Sequence, residues 1–388
     1  MPTVETARNG DPLDLARLLV SIPSVNPTLS PGGAGEARMA EVTADLLEGW
    51  GLDTETHEVA PGRWNVVSRL AGEGPTLLLN GHLDTVGVEG MTVDPFGARV
   101  EGGRLIGRGA CDMKGGLAAL MATAARLAAG GPRPSLVVAL TADEEHASVG
   151  MADLVDGTGG TDLADMAVVC EPTSLRVMPA HKGFVWLNAV FRGQAAHGSR
   201  PDIGVDAVRH AGLFLAALDD YAAELERRPA HPLLGHGSFH AGTIHGGTAE
   251  SVYPDRCALT LERRTMPGEQ TVEVVTEFQR VLDDVASRHS AVEVSLEMTL
   301  DRPGTEVDTE SVLVQGLLNA AAAQGVESRV EGMTAWVDAA FLNEAGVPAV
   351  CFGPGSIEQA HTSDEWLDIQ QLRSCTDVLE RFARGLVS

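Results

Sequence analysis

Short apolar runs alternate with longer helical patterns through the first part of the chain. Thr76-Leu77-Leu78-Leu79, Ser135–Leu140 and Met166–Val169 predict buried strands. Between them, Glu36–Trp50 places Met39, Val42 and Leu46 at helical spacing before Gly51, and Lys114–Ala129 is rich in Ala and Leu before Gly130-Gly131. Both predict core-facing helices. Strand, crossover helix and strand in alternation is the signature of a largely parallel sheet. From about His181 the texture changes. Phe184–Phe191 and Cys257–Leu261 alternate as strands do, helices are expected near Val205–Leu218 and Val272–Ala286, and a further strand spans Ala291–Leu300. After the turn Arg302-Pro303-Gly304 the first kind of pattern resumes, at Ser311–Gln324 and Pro348–Phe352. The expected fold class is α/β, with a mainly parallel central sheet in a discontinuous domain of residues 1–180 and 301–388, interrupted by an inserted α+β domain of residues 181–300.

At 388 residues the chain is too long for one ordinary core. Lys and Arg number 28 against 54 Asp and Glu, a formal charge of −26 that repels phosphate backbones and anionic membrane surfaces. Nucleic acid and membranes are therefore not expected partners. Five cysteines without a CxxC pair point to a reducing compartment rather than a disulfide framework. Met1–Gly10 lacks the apolar segment of a signal peptide, and Leu117–Ala129, the longest apolar stretch, is interrupted by Arg126, so a cytoplasmic protein is expected. His231, His236, His240 and His245 lie in a stretch rich in Gly and Pro, which reads as an irregular loop.

The chemistry gathers after the strands. The run Thr76–Leu79 leads to His82-Leu83-Asp84, whose single spacer sends both side chains to one side of an extended segment. An aspartate so placed can hold the imidazole while the other ring nitrogen faces a cation. Ser135–Leu140 runs into Asp143-Glu144-Glu145, Met166–Cys170 into Glu171, and Pro348–Phe352 into a glycine-rich turn followed by His361. In open α/β sheets ligands collect outside the carboxyl ends of the strands, where such groups can converge. Asp112, in Gly107–Gly116, adds a carboxylate before a helix. Neither GxxxxGK[ST] nor GxGxxG is present there, and Asp112 would repel a phosphate. Taken singly, each residue has an ordinary reading: a polar turn for His82 and Asp84, a solvated acidic turn for Glu144-Glu145, an N-cap for Asp112, a helix-start carboxylate for Glu171 and a loop histidine for His361. Two histidines and three carboxylates together suit two zinc-like ions sharing a carboxylate. Glu144-Glu145 suits a metallohydrolase in which one carboxylate binds metal and the other accepts a proton from water.

His82-Leu83-Asp84-Thr85, GRGACDMKGG from Gly107, Asp143-Glu144-Glu145, Cys170-Glu171-Pro172-Thr173 and Gly353–His361 resemble, in order, the motifs of the di-zinc family of acetylornithine deacetylase, succinyl-diaminopimelate desuccinylase, aminoacylase and glutamate carboxypeptidase. The resemblance spans essentially the whole chain. It implies a zinc-exopeptidase-like catalytic domain and an inserted lid and dimerisation domain. It also implies that His82, Asp112 and Glu171 bind one metal and Asp112, Glu145 and His361 the other, with Asp84 orienting His82 and Glu144 as general base. In Gly193–Pro201, His197 looks like the family histidine that reaches the partner subunit's active site in a homodimer. Arg264 matches the arginine that binds a substrate carboxylate, a task its planar fork suits, while its neighbour Arg263 should point to the opposite face.

The expected cofactors are two divalent ions, zinc with cobalt or manganese as alternatives. The expected substrate is a small N-acyl amino acid, and the reaction a deacylation like that of acetylornithine deacetylases in arginine biosynthesis, which Gly353–His361 most resembles. Dipeptidase, carboxypeptidase and desuccinylase activities stay open, because the same chemistry cleaves each amide; a catalytically inert metal-binding relative is the alternative outside enzymes. Ser251 stands where many relatives have Asn, and Ala340 where the desuccinylases usually have Arg, which weakens the diaminopimelate reading.

Overall fold

The structure, a computed structural model, describes residues 2–158 and 163–387. The chain separates into two compact units. One comprises Met1–Pro179, Val307–Glu331 and Val337–Ser388, the other Ala180–Glu306 and Gly332–Trp336.

In the first unit the neighbouring strands are, in order, Asp53–Ala60, Arg63–Leu70, Ser135–Thr141, Thr76–His82, Met166–Val169 and Ala349–Cys351. The last four run parallel to one another, and the first two join as an antiparallel edge. Strand Thr76–His82 is buried from Leu77 onward, as a central parallel strand covered on both faces must be. The helix Lys114–Ala128 packs on it and on Ser135–Thr141, while Ala37–Gly49 covers the antiparallel edge. Two further helices, Pro12–Val20 and Ile369–Gly385, lie against Lys114–Ala128; each starts at an aspartate, Asp11 or Asp368, whose side chain accepts N–H groups of the first turn. Gly116 sets how closely Lys114–Ala128 approaches the sheet: a Cβ there would lie 2.0 Å from the Cys170 carbonyl oxygen. That close approach brings the residues before the helix beside those that follow Met166–Val169.

The second unit is an antiparallel sheet in the order Ser238–Gly246, Arg256–Thr265, Gly183–Arg192, Glu293–Arg302, with helices Ala207–Arg227 and Thr271–Arg288 packed on it. Phe191, Phe214, Tyr221, Leu261, Phe278 and Leu282 are buried in its core. Two sequence expectations need correction here. Gly332–Trp336 belongs to this unit rather than to the first, because Trp336 packs edge-on against Phe184 and His181. The histidine-rich stretch is not a loop throughout: Ser238–Gly246, with His240 and His245, is the edge strand of the sheet. Its residues are almost all exposed, so no apolar alternation marked it. No helix among the described residues is long and apolar enough to cross a membrane.

Candidate metal centre

The ends of the parallel strands carry the predicted groups in the first unit. His82 is the last residue of Thr76–His82, Glu144 and Glu145 follow Ser135–Thr141, Glu171 follows Met166–Val169, and His361 lies beyond Ala349–Cys351 with φ of 62°. Asp112 immediately precedes Met113, which occupies the N-cap position of the helix Lys114–Ala128. Asp112 does not cap that helix, and its side chain turns instead to the two histidines.

Two triads result, His82 with Asp112 and Glu171, and Asp112 with Glu145 and His361, and within each the donor atoms all lie within 4.8 Å of one another. Asp112 is common to both. His82 Nε2 lies 3.2 Å from Asp112 Oδ1, and His361 Nε2 lies 3.4 Å from Asp112 Oδ2 and 3.0 Å from Glu145 Oε2. His82 and Glu171 are buried, whereas half of the His361 side chain is exposed.

The electrostatics of this cluster favour positive charge. Burial opposes a proton on His82, yet Asp112, Asp84 and Glu144 raise its pKa well above the ordinary value. Asp112 and Glu145 push His361 up to about 10. The carboxyls pay for their proximity: burial, then the charge of Asp112, drives Glu171 far above the usual carboxylate range, and burial with the Glu171 and Asp338 charges does the same to Glu144. Glu171 Oε1 and Glu145 Oε1 are buried without a hydrogen-bond partner. Unpartnered carboxylate oxygens beside two imidazole nitrogens form a donor set that fits divalent ions, and such ions would relieve the repulsion.

Asp84 lies beside His82, but, contrary to the sequence expectation, its carboxylate is not the group nearest to the imidazole. His82 Nδ1 donates to the backbone carbonyl of Asp84 at 3.0 Å, closer than its 3.5 Å approach to the carboxylate. This leaves Nε2 turned toward Asp112. The Asp84 carboxylate instead accepts the backbone N–H groups of Glu144 and Glu145 and the Asn26 amide at 2.8 Å. Burial pushes its pKa up, and the His82 hydrogen bond and charge more than offset that.

Residues that sequence reasoning missed hold the loops that carry the candidate ligands. Buried Glu365 accepts the backbone N–H groups of Gly109, Cys111 and Asp112, and pairs with Arg108 at 2.8 Å. It thereby fixes the loop that presents Asp112. Asp338 accepts from the Thr141 hydroxyl at 3.2 Å, at the end of the strand that leads to Glu144, and burial raises it to about 7.

The two remaining predicted residues belong to the second unit. His197 is exposed, its Nδ1 2.8 Å from the Ser199 hydroxyl. Arg264 stands over the Phe184 ring, 5.5 Å from its centroid, and donates through Nε to Glu262 at 2.7 Å. Arg263 is turned to the helices, fully buried, with Nε bonded to the Tyr221 hydroxyl at 3.0 Å, as strand alternation predicts.

Such a donor set, at the carboxyl ends of such a sheet, suits a metal-dependent hydrolase. Residues 78–385 match peptidase family M20/M25/M40, and the chain belongs to that family. It is 31% identical over 326 residues to an acetylornithine deacetylase of Myxococcus xanthus, covering 82% of each chain. Among solved structures it is similar to aminopeptidase PepT of Bacillus cereus, with a TM-score of 0.80 at 19% identity over 97% of this chain and 98% of that one. The YXEP protein of Bacillus subtilis, a dinuclear metal-binding peptidase of the same family, gives a TM-score of 0.74 at 18% identity over 98% and 99%.

Proposed function

We propose that the chain is a di-zinc deacylase of small N-acyl amino acids, with N-acetylornithine as its substrate. The observation that carries this reading is the pair of ligand triads joined at Asp112, with Glu144 as the adjacent carboxylate outside both. His82, Asp112 and Glu171 would hold one ion and Asp112, Glu145 and His361 the other. Ions bound there supply Lewis acidity to the amide carbonyl and make water nucleophilic at neutral pH. Glu144 takes the proton of the attacking water on a carboxylate oxygen and returns it to the leaving amine nitrogen. Its raised affinity for protons, imposed by burial, suits a group that must accept one and then give it up.

Arg264, with Nε tied to Glu262, offers the rest of its fork to a substrate carboxylate. The second unit, on the same reading, serves as lid and homodimer contact, and His197 polarises the scissile carbonyl in the neighbouring subunit. The protein acts in the cytoplasm, in arginine biosynthesis.

Curated relatives such as that of Myxococcus xanthus, named for acetylornithine, favour the deacylase over the peptidases that share the fold. The test compares metal-loaded and chelated protein on N-acetylornithine, N-succinyl-diaminopimelate, other N-acyl amino acids and dipeptides. Turnover of N-acetylornithine that disappears with the metal supports the reading. Equal turnover without metal overturns it, and turnover confined to dipeptides moves the chain to the peptidases.

A further inference from the structure

Besides Glu365 and Asp338, the buried carboxylates near the candidate metal centre that belong to neither triad include Glu36, Asp84 and Asp143, and among these three sits the guanidinium of Arg63. Arg63 Nη1 donates to Glu36 Oε1 at 2.6 Å. Its Nη2 contacts Asp143 Oδ1 at 2.9 Å, the Thr28 hydroxyl at 2.8 Å and the Asn26 side-chain oxygen. Asn26 passes the contact on, its Nδ2 donating to Asp84 Oδ2 at 2.8 Å and to Asp143 Oδ1 at 3.0 Å.

Strand register explains why Arg63 meets Asp143. Strands Arg63–Leu70 and Ser135–Thr141 are antiparallel with Val66 opposite Leu140, so three further residues on each bring Arg63 level with Asp143. Asp143 then closes the turn: its φ is 68°, and its carbonyl accepts the N–H groups of His146, Ala147 and Ser148. Glu144 and Glu145 project from that turn, and their own N–H groups end on Asp84. The guanidinium therefore reaches the turn twice, directly at Asp143 and through Asn26 at Asp84.

We propose that Arg63 is a positioning residue for amide hydrolysis, fixing the Glu144–Glu145 turn through Asp143 and, by way of Asn26, through Asp84. The proposal rests on Glu144 as general base and Glu145 as metal ligand. A buried planar fork with its contacts set by three separate chain segments holds its partners in one geometry. A lysine keeps the charge but has one head, which cannot meet Glu36, Asp143 and Asn26 in the same directions.

The experiment uses the full chain loaded with Co²⁺ and the variants Arg63→Lys, Arg63→Met and Asn26→Ala. It measures kcat and KM on N-acetylornithine, thermal unfolding, and the visible absorption of the bound cobalt. Arg63→Met and Asn26→Ala are expected to lower kcat about 10- to 100-fold with KM within about threefold, and Arg63→Lys to fall between them and the parent. The cobalt bands of Arg63→Met and Asn26→Ala shift, because Glu145 moves with the turn. Folded variants with kcat within about twofold of the parent and unchanged cobalt bands overturn the proposal. If Arg63→Met does not fold, Arg63→Lys supplies the answer by the same readouts, while Asn26→Ala, which leaves the Arg63 pairs with Glu36 and Asp143 intact, reports the Asn26 branch alone. A parent chain inactive on every amide overturns the functional reading instead, and the cobalt bands still report whether Arg63 holds the turn.

Discussion

Asp84 accepts the backbone N–H of Glu145 at 3.3 Å through Oδ2, while its Oδ1 accepts that of Glu144 at 3.2 Å. One carboxylate thus sets the position of a candidate ligand and of the candidate base. The His82 tautomer depends mainly on something else, the Asp84 backbone carbonyl. Asp84→Asn keeps that carbonyl but confronts one of the two N–H groups with an amide NH2. Turnover is expected to fall about 10- to 100-fold at saturating metal, measured as kcat in excess zinc. Turnover equal to the parent's would show that the turn does not need both acceptors.

Glu144→Gln removes the proton acceptor while leaving both triads untouched. The variant should bind two ions per chain, by metal analysis after dialysis, and lose about 10²- to 10⁴-fold in kcat. Substantial turnover in a fully metal-loaded variant would sink the base assignment.

His82→Ala takes a nitrogen donor from a buried triad and leaves Asp112 and Glu171 to share an ion. One of the two ions should be lost at metal concentrations that saturate the parent, and chelation of the parent should abolish turnover until metal is restored. Two tightly held ions in the variant would exclude His82 from the ligands.

The second unit carries its own pH dependence. Burial holds His181 neutral, lowering it from 6.5 to about 4; Nδ1 donates to the Lys182 carbonyl at 3.0 Å and Nε2 is buried without a partner. Between pH 6.5 and 4 the unfolded chain binds a proton that the folded chain refuses. This contribution to stability is full above pH 6.5 and falls on acidification through that window, by at most about 3 to 4 kcal/mol. His181→Asn can still donate to Lys182 and cannot take the charge. Denaturant unfolding at pH 4, 5.5 and 7 should show a flatter dependence in the variant, and parallel curves would argue against a buried neutral His181.

The groups at the parallel strand ends could be read from sequence because each follows an apolar run that can only be a buried strand, and because open sheets direct such ends to one place. Their supports could not. Glu365 lies in a loop after His361, Arg63 opens a strand of mixed polarity, and Asn26 precedes a proline; each resembles an ordinary surface residue until the fold buries it. Pro61-Gly62 marks a turn, but the hairpin there pairs Arg63 with Ala60, and only the pairing of its strand with Ser135–Thr141 brings Arg63 to Asp143. The edge strand Ser238–Gly246 and the attachment of Gly332–Trp336 to the second unit escaped for a related reason. Exposed strands lack alternation, and a five-residue segment chooses its unit by contacts distant in sequence, Trp336 with His181 and Phe184 and the Met333 carbonyl with the Lys182 N–H, which no local pattern records.

The unit that carries the candidate ligands is written in the sequence as three pieces, with the two segments of the other unit between them. During synthesis His82, Asp112, Glu145 and Glu171 leave the ribosome well before His361, and before Glu365, which shapes the Asp112 loop. The strand Met166–Val169 likewise waits for Ala349–Cys351, its parallel neighbour. A nascent chain therefore carries an acidic, incomplete ligand cluster and an open sheet edge while the whole of the second unit's long segment is made, and the cluster closes only when His361 emerges.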